Sequence, residues 1–290
     1  MMTCLSSAFN VEDVDIEEAI AEVASVVGER PRLVHTRAGQ PWVGLTTDRA
    51  IHIAHDDRTR KRIREEAERL AWAARNGIPV PAVVESRTDW LITARAVDDG
   101  VTTGQGYVEA AIGAARALAA APEPPPSLRA PVAAHGGGRK AGLVRLARIV
   151  RSPLPPGEFR AVRAEATGLR KDTLAHGDYV LHNILFDRSR NAVTVIDWEF
   201  LTRAPAHQDL LMLWPRLTEA DDRALVIEEV ERTTRDKKAA GVLHHWLAVR
   251  LLADLVTKVP PAEWDRPRID ATVARVAEAK TNRARWFKGP

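Results

Sequence analysis

The eight residues from His176 to Asn183, HGDYVLHN, and the apolar run AVTVIDWEF that carries Asp197, Trp198 and Glu199 near its end hold the residue types that move a phosphoryl group. Such transfer asks a protein mainly for positioning and charge neutralisation, because phosphates repel carboxylates and an incoming oxygen nucleophile until a divalent cation bridges them. Phosphoryl-transfer loops supply an Asp beside the attacking hydroxyl, an Asn five positions later on the metal, and a second acidic ligand from a following strand. Asp178, Asn183 and Asp197 stand in that order. Magnesium keeps several waters and takes one or two protein oxygens besides those of the phosphates, so an Asn183 amide and an Asp197 carboxylate form a sufficient set. Asp178 is then left to accept or orient the hydroxyl. A lone Asp and Asn in a turn more often cap or bend the backbone; here spacing, order and strand context favour the chemistry.

In the HGD form of the loop and in IDWE, the chain resembles the aminoglycoside phosphotransferase and choline kinase family. The resemblance implies an α+β, two-lobed protein-kinase-like fold, with a small antiparallel-sheet N-lobe and a mainly helical C-lobe. It also implies ATP or GTP as phosphate donor, Mg2+, a nucleotide in the cleft between lobes, and a hydroxyl-bearing acceptor. Pro79-Val80-Pro81 is a further family mark. The family places a Lys on the third strand, paired with a Glu on the next helix; this chain has His52 there, with Glu66, and secondarily Glu65, as the helix partner. A His with an ordinary pKa of about 6.5 is mostly neutral at neutral pH, whereas Lys at about 10.4 is charged. Glu66 is expected to raise the His52 pKa and restore some positive charge, and Arg58 or Lys61 are substitute cations. Gly39, in RAGQPWVG, marks a reduced phosphate loop that lacks GxGxxG. By the same resemblance the backbone from Thr93 through Arg95 to Val97 reads adenine, Leu185 and Ile196 floor the base, and Asp209 braces the catalytic loop.

The elements that must position these residues follow from periodicity. DIEEAIAEVASVVG has Asp15 and Glu18 at capping-box spacing and apolar residues at helical intervals, so it predicts an amphipathic helix ending at Gly28. RLVHT, PWVGLTT and AIHIAH read as an antiparallel meander. A charged helix over about 58–75 follows, and then IPVPAVVES and DWLITARAV as strands. Past Asp98 the pattern turns helical. Residues 1–98 are therefore expected to form the nucleotide-binding lobe, and 99–290 the helical lobe with the catalytic loop. Pro122 to Pro126 and Gly136 to Gly138 mark an excursion, with helices over 141–151 and 157–168 on either side of the next prolines.

Composition bounds the rest. A chain of 290 residues, 45% hydrophobic and 28% charged, suits one large domain or two lobes. The lone Cys4 excludes an internal disulfide framework and fits a reducing cytoplasm. MMTCLSSAF lacks a basic n-region, and no run is read as reaching membrane-spanning length, so neither membrane nor export is expected. Nine histidines occur without HExxH or a comparable ligand set, which argues against a metal hydrolase. Ten basic residues against Glu158 and Glu165 fill 129–171, among them Arg139, Lys140, Arg145 and Arg148. This is either a solvated face or an anion-attracting surface for a protein partner. Without a recognition motif, nucleic acid is not expected. Three readings stand: a small-molecule phosphotransferase, a Ser/Thr kinase-like subunit acting on an acidic precursor peptide, and a pseudokinase that binds a partner.

Overall fold

The computed structural model describes residues 16–35, 39–129, 153, 155–258 and 264–288. Within these the chain divides into two compact units, one running to Arg75 and resuming over Val80–Ala96, the other comprising Asn76–Pro79 and the chain from Val97 onward.

The first unit is built on a five-stranded sheet. Helix α1 (Ile16–Val27) leads into β1 (Arg32–His35), β2 (Trp42–Leu45) and β3 (Arg49–Ile53), the expected meander. Helix α2 (Asp57–Arg75) then separates β3 from the hairpin β4 (Val83–Ser86) and β5 (Trp90–Ala94). Every pairing is antiparallel, and the order β1-β2-β3-β5-β4 sets β5 beside β3. The register pairs Ile51 with Ile92 and Ile53 with Trp90. Since successive side chains alternate faces, these four residues line one face, where they pack with Ile20 and Val23 of α1. His52, paired with Val43 and Leu91, lies on the other face. Asp56 caps α2 through a reciprocal pair of bonds, accepting from the Thr59 N–H at 2.7 Å while its own N–H donates to the Thr59 hydroxyl at 3.0 Å.

The second unit is mainly helical. It comprises α3 (Gln105–Ala120), α4 (Pro156–Thr167), α5 (Gln208–Leu213), α6 (Ala220–Thr233), α7 (Lys237–Lys258) and α8 (Arg266–Lys288). Two antiparallel ribbons carry the HGD and IDWE segments into this frame: β6 (Thr173–Ala175) with β9 (Thr202–Ala204), and β7 (Ile184–Asp187) with β8 (Ala192–Val195). The Pro79 turn belongs here as well, because the Val195 N–H donates to the Pro79 carbonyl at 2.8 Å. Helix α7 packs along α8 and against α4 and α5. One expectation needs correction: Lys237–Thr257 is long and apolar enough to cross a membrane by length and composition. It is apolar because most of it is buried among neighbouring helices.

The helix expected over 141–151, Gly136 to Gly138, and Arg139, Lys140, Arg145, Arg148 and Arg151 of the basic stretch lie outside the described residues. Of its other members, Arg129 pairs with Glu123 at 3.0 Å and Arg170 with Asp172 at 2.8 Å, while Arg160 and Arg163 are exposed on α4.

Candidate active site

Strand β6 delivers the chain to His176, the turn 176–183 closes in a short 3-10 segment, Leu181–Asn183, and β7 departs from it. Strand β8 returns antiparallel, so the Ile196 N–H donates to the Asn183 carbonyl at 3.0 Å and Asp197 follows directly. The hairpin therefore brings Asp197 next to Asn183, which already stands close to Asp178 in the chain. Asn183 is buried, and its amide nitrogen donates to the Asp178 carbonyl at 2.9 Å and to the Asp178 carboxylate at 3.2 Å. Both partners only accept, so the NH2 group must face them, and Oδ1 is the oxygen left to meet a cation. Asp197 is exposed and left-handed, with φ 63° and ψ 66°. A non-glycine residue held there is a local strain of the kind that clusters at functional sites. The next residue anchors the turn, since Trp198 is fully buried and its indole N–H donates to the Val195 carbonyl at 2.9 Å. Among the described residues no three His, Cys, Asp or Glu side chains gather as a metal cage. One amide oxygen and one carboxylate suit magnesium, which completes its shell with water and phosphate oxygens.

Four residues fix this loop. Asp209, buried on α5, accepts the His176 N–H at 2.7 Å and the Gly177 N–H at 3.2 Å; loss of solvation pushes its pKa up to about 6 against those two bonds. Gly177 has φ 82°, and a Cβ there would stand 2.4 Å from the Phe200 carbonyl oxygen, so glycine is required both by conformation and by space. Sequence places His176 at the head of the HGD loop but gives it no role of its own. In the structure it is fully buried, edge-on to Trp198, with Nε2 3.0 Å from the Ile196 carbonyl; burial lowers its pKa to about 4 and keeps the ring neutral. A neutral ring facing a carbonyl must carry its proton on that nitrogen. The signal for this role was the position of His176 directly before Gly177 and Asp178, which sequence alone does not connect to Ile196. Tyr179, also buried, donates its hydroxyl to the Ala111 carbonyl at 2.6 Å and fixes the loop to α3.

The sequence model of the phosphotransferase enzyme family matches residues 32–242, a span that covers the sheet and both acidic segments. The chain belongs to this family. By sequence, no curated protein matches. Solved structures share its fold over nearly the whole length. The aminoglycoside phosphotransferase APH(2'')-Ib, ADP-bound, is 15% identical with a TM-score of 0.57, covering 94% of this chain and 99% of its own. A choline/ethanolamine kinase family protein from Mesorhizobium loti is 17% identical with a TM-score of 0.55, covering 94% and 97%. The amicoumacin kinase hAmiN, in complex with AMP-PNP, Ca2+ and Ami, is 12% identical with a TM-score of 0.58, covering 96% and 95%. This phosphotransferase thus has the protein-kinase-like fold, with an antiparallel-sheet lobe and a mainly helical one.

The nucleotide-side residues of the phosphotransferase depart from expectation in two respects. Partly buried beside Val43 and Leu91, His52 loses solvation, and its pKa falls from 6.5 to about 4 instead of rising under the influence of Glu66. Desolvation outweighs any carboxylate because the neutral imidazole is the cheaper form on an apolar sheet face. Glu66 stands 4.0 Å and Glu65 3.2 Å from Arg69, within α2 itself. Secondly, the Ala94 N–H donates to Ala82 and the Arg95 N–H to Asp48, each at 2.8 Å, while Arg95 Nη1 reaches the Thr46 carbonyl at 3.0 Å and the Thr93 hydroxyl the Ala50 carbonyl at 3.4 Å. Thr93 and Arg95 are thereby committed to the sheet, whereas Val97 lies past its end and is 52% exposed. Gly39, with φ 72°, has the Arg58 guanidinium 3.5 Å from where a Cβ would stand, so a cation sits against the β1–β2 loop. Lys61, the other substitute, is 3.8 Å from Glu65. In the helical unit Ile184, Phe186, Val193 and Val195 are buried on one face of the β7–β8 hairpin, and Leu185 is half-exposed on the other. Ile196 is likewise half-exposed.

Proposed function

We propose that this phosphotransferase moves the γ-phosphate of ATP to a hydroxyl group of a small molecule, with magnesium as the activating ion. The observation that carries the reading is the contact between Asn183 and Asp178. One amide nitrogen orients the carboxylate that receives the hydroxyl, and the same amide leaves its oxygen for the ion. ATP is supported by the nucleotides in neighbours of this fold, ADP in one and AMP-PNP in another. Asn183 and Asp197 would hold the magnesium, which when bound neutralises the charge on the phosphates.

Asp178 accepts the hydroxyl proton as the acceptor oxygen bonds to the γ-phosphorus and the bond to the bridging oxygen of ADP breaks, so that phosphorylated acceptor and ADP leave. Leu185 and Ile196 offer apolar surface to the base, and Val97 offers backbone beyond the sheet. The acceptors named for the neighbours, aminoglycosides, choline or ethanolamine and amicoumacin, support a small molecule. The test is phosphate transfer from ATP with magnesium across a panel of hydroxyl-bearing small molecules. Transfer that is lost in Asp178→Asn supports the reading, and transfer that survives it with full rate refutes the assignment of Asp178.

A further inference from the structure

Helix α2 opens with five cations over residues 57–64, and helical spacing sorts them onto two faces. Asp57, Arg60, Lys61 and Arg64 line a cleft against the β4–β5 turn. There Arg60 pairs with Asp57 at 2.9 Å and Asp89 at 2.6 Å, and Lys61 lies 3.8 Å from Glu65. Arg58 and Arg62, one turn apart, meet the end of the β1–β2 loop instead. The Arg62 guanidinium donates to the side-chain oxygen of Gln40, and that of Arg58 lies against Gly39. Arg58 is exposed and, among the described residues, forms no ion pair within 4.0 Å. A phosphate can therefore meet this cation without displacing an acid.

The same stretch of backbone is fixed from a second side by His55. Its imidazole Nε2 lies 3.0 Å from the Gln40 carbonyl oxygen, and a ring nitrogen that faces a carbonyl must carry a proton, so it donates there. The ring is stacked on Trp42, with centroids 4.9 Å and planes 27° apart. Trp42 opens β2 and packs against the buried core of the sheet, while the His55 N–H donates to the Thr59 hydroxyl at 3.0 Å, in the cap of α2. His55 thus ties turn, sheet and helix at one point. A turn through a left-handed glycine such as Gly39, with φ 72°, has several conformations open to it. Bonds to both oxygens of Gln40 select the one in which Gly39 stands against Arg58. We infer that His55 is a positioning residue for the phosphate donor: by holding the Gln40 carbonyl, it sets the Gly39 turn and the Arg58 guanidinium together as a seat for nucleotide phosphate. The inference rests on the proposed use of ATP and adds to it the residue that shapes the phosphate seat.

The test compares ATP with magnesium and adenosine, which has no phosphate, by calorimetry. His55→Phe keeps a ring on Trp42 and loses the donor; His55→Gln keeps an N–H donor and loses the ring. ATP affinity should fall about threefold or more in His55→Phe and recover most of that in His55→Gln. Adenosine affinity should be the same in all three proteins, which also shows that the variants fold. Because the donor acts through the placing of one guanidinium, Arg58→Ala and the double variant with His55→Phe should bind ATP equally, a coupling that independent sites do not show. In turnover the His55→Phe loss should fall on the KM for ATP and leave the KM for the acceptor unchanged. Unaltered ATP affinity in His55→Phe, an equal loss for adenosine, or full additivity with Arg58→Ala overturns the positioning role, while ATP-dependent transfer still upholds the kinase reading. A parent that binds no ATP and transfers no phosphate overturns both.

Discussion

The imidazole of His176 donates to the main-chain carbonyl of Ile196 across 3.0 Å, which ties the hydroxyl-orienting loop to the acidic turn one residue ahead of Asp197. His176→Ala removes this donor and opens space against Trp198. We expect a loss of about 2–4 kcal/mol in denaturant unfolding and a larger fractional loss in kcat than in nucleotide affinity. His176→Gln, which keeps an N–H donor, should recover part of kcat. Equal kcat in the parent and the Ala variant would show that the tie does not position Asp178.

The acidic residues separate by readout. Asp178→Asn should lower turnover roughly a hundredfold or more with nucleotide binding retained. Asp197→Ala should instead weaken nucleotide binding only when magnesium is present. Calorimetry with and without the ion distinguishes the two.

Since burial holds the His52 pKa at about 4, its imidazole stays neutral from pH 8 to pH 6 and nucleotide affinity should be flat across that range. His52→Ala should show the same profile. Arg58, against the β1–β2 loop, is the cation to remove: Arg58→Ala should weaken ATP roughly fivefold, ~1 kcal/mol. A rise in affinity of the parent toward pH 6, abolished in His52→Ala, would return the role to the histidine.

His244 is fully buried on α7, edge-on to Trp214, and burial lowers its pKa from 6.5 to about 3. As the pH falls through that window the unfolded chain takes up a proton that the folded state refuses. The stability this residue contributes is therefore complete above pH 6.5 and is lost toward pH 3. The slope is about 1.4 kcal/mol per pH unit while only the unfolded form is protonated. Between pH 7 and pH 5 the denaturant midpoint of the parent should fall relative to that of His244→Leu, which has no such titration.

The HGD and IDWE segments that nominate Asp178, Asn183 and Asp197, and the alternation of strands and helices, are legible because their signals are local: a fixed spacing, an alternating run, a Gly at a helix end. His52 shows where this stops. Its identity marks the third-strand position, but its protonation depends on Val43 and Leu91, which strand pairing brings beside it and no spacing reveals. The Arg95 N–H and the Thr93 hydroxyl show the same limit, because the Asp48 and Ala50 carbonyls that accept from them are brought across the sheet by strand pairing. His176 depends on its contact to Ile196, distant in sequence, so its role emerges only from tertiary placement.

The close approach of Gly177 to the Phe200 carbonyl restricts how the enzyme can move. Two backbone segments with no room for a methyl group between them cannot slide past each other, and packed interiors switch between discrete arrangements instead of deforming smoothly. The backbone next to Asp178 and that following Asp197 are therefore locked against each other at this junction. On the roles proposed above, an opening that admits ATP or releases ADP would hinge at backbone away from this junction and leave the spacing between proton acceptor and metal ligand unchanged.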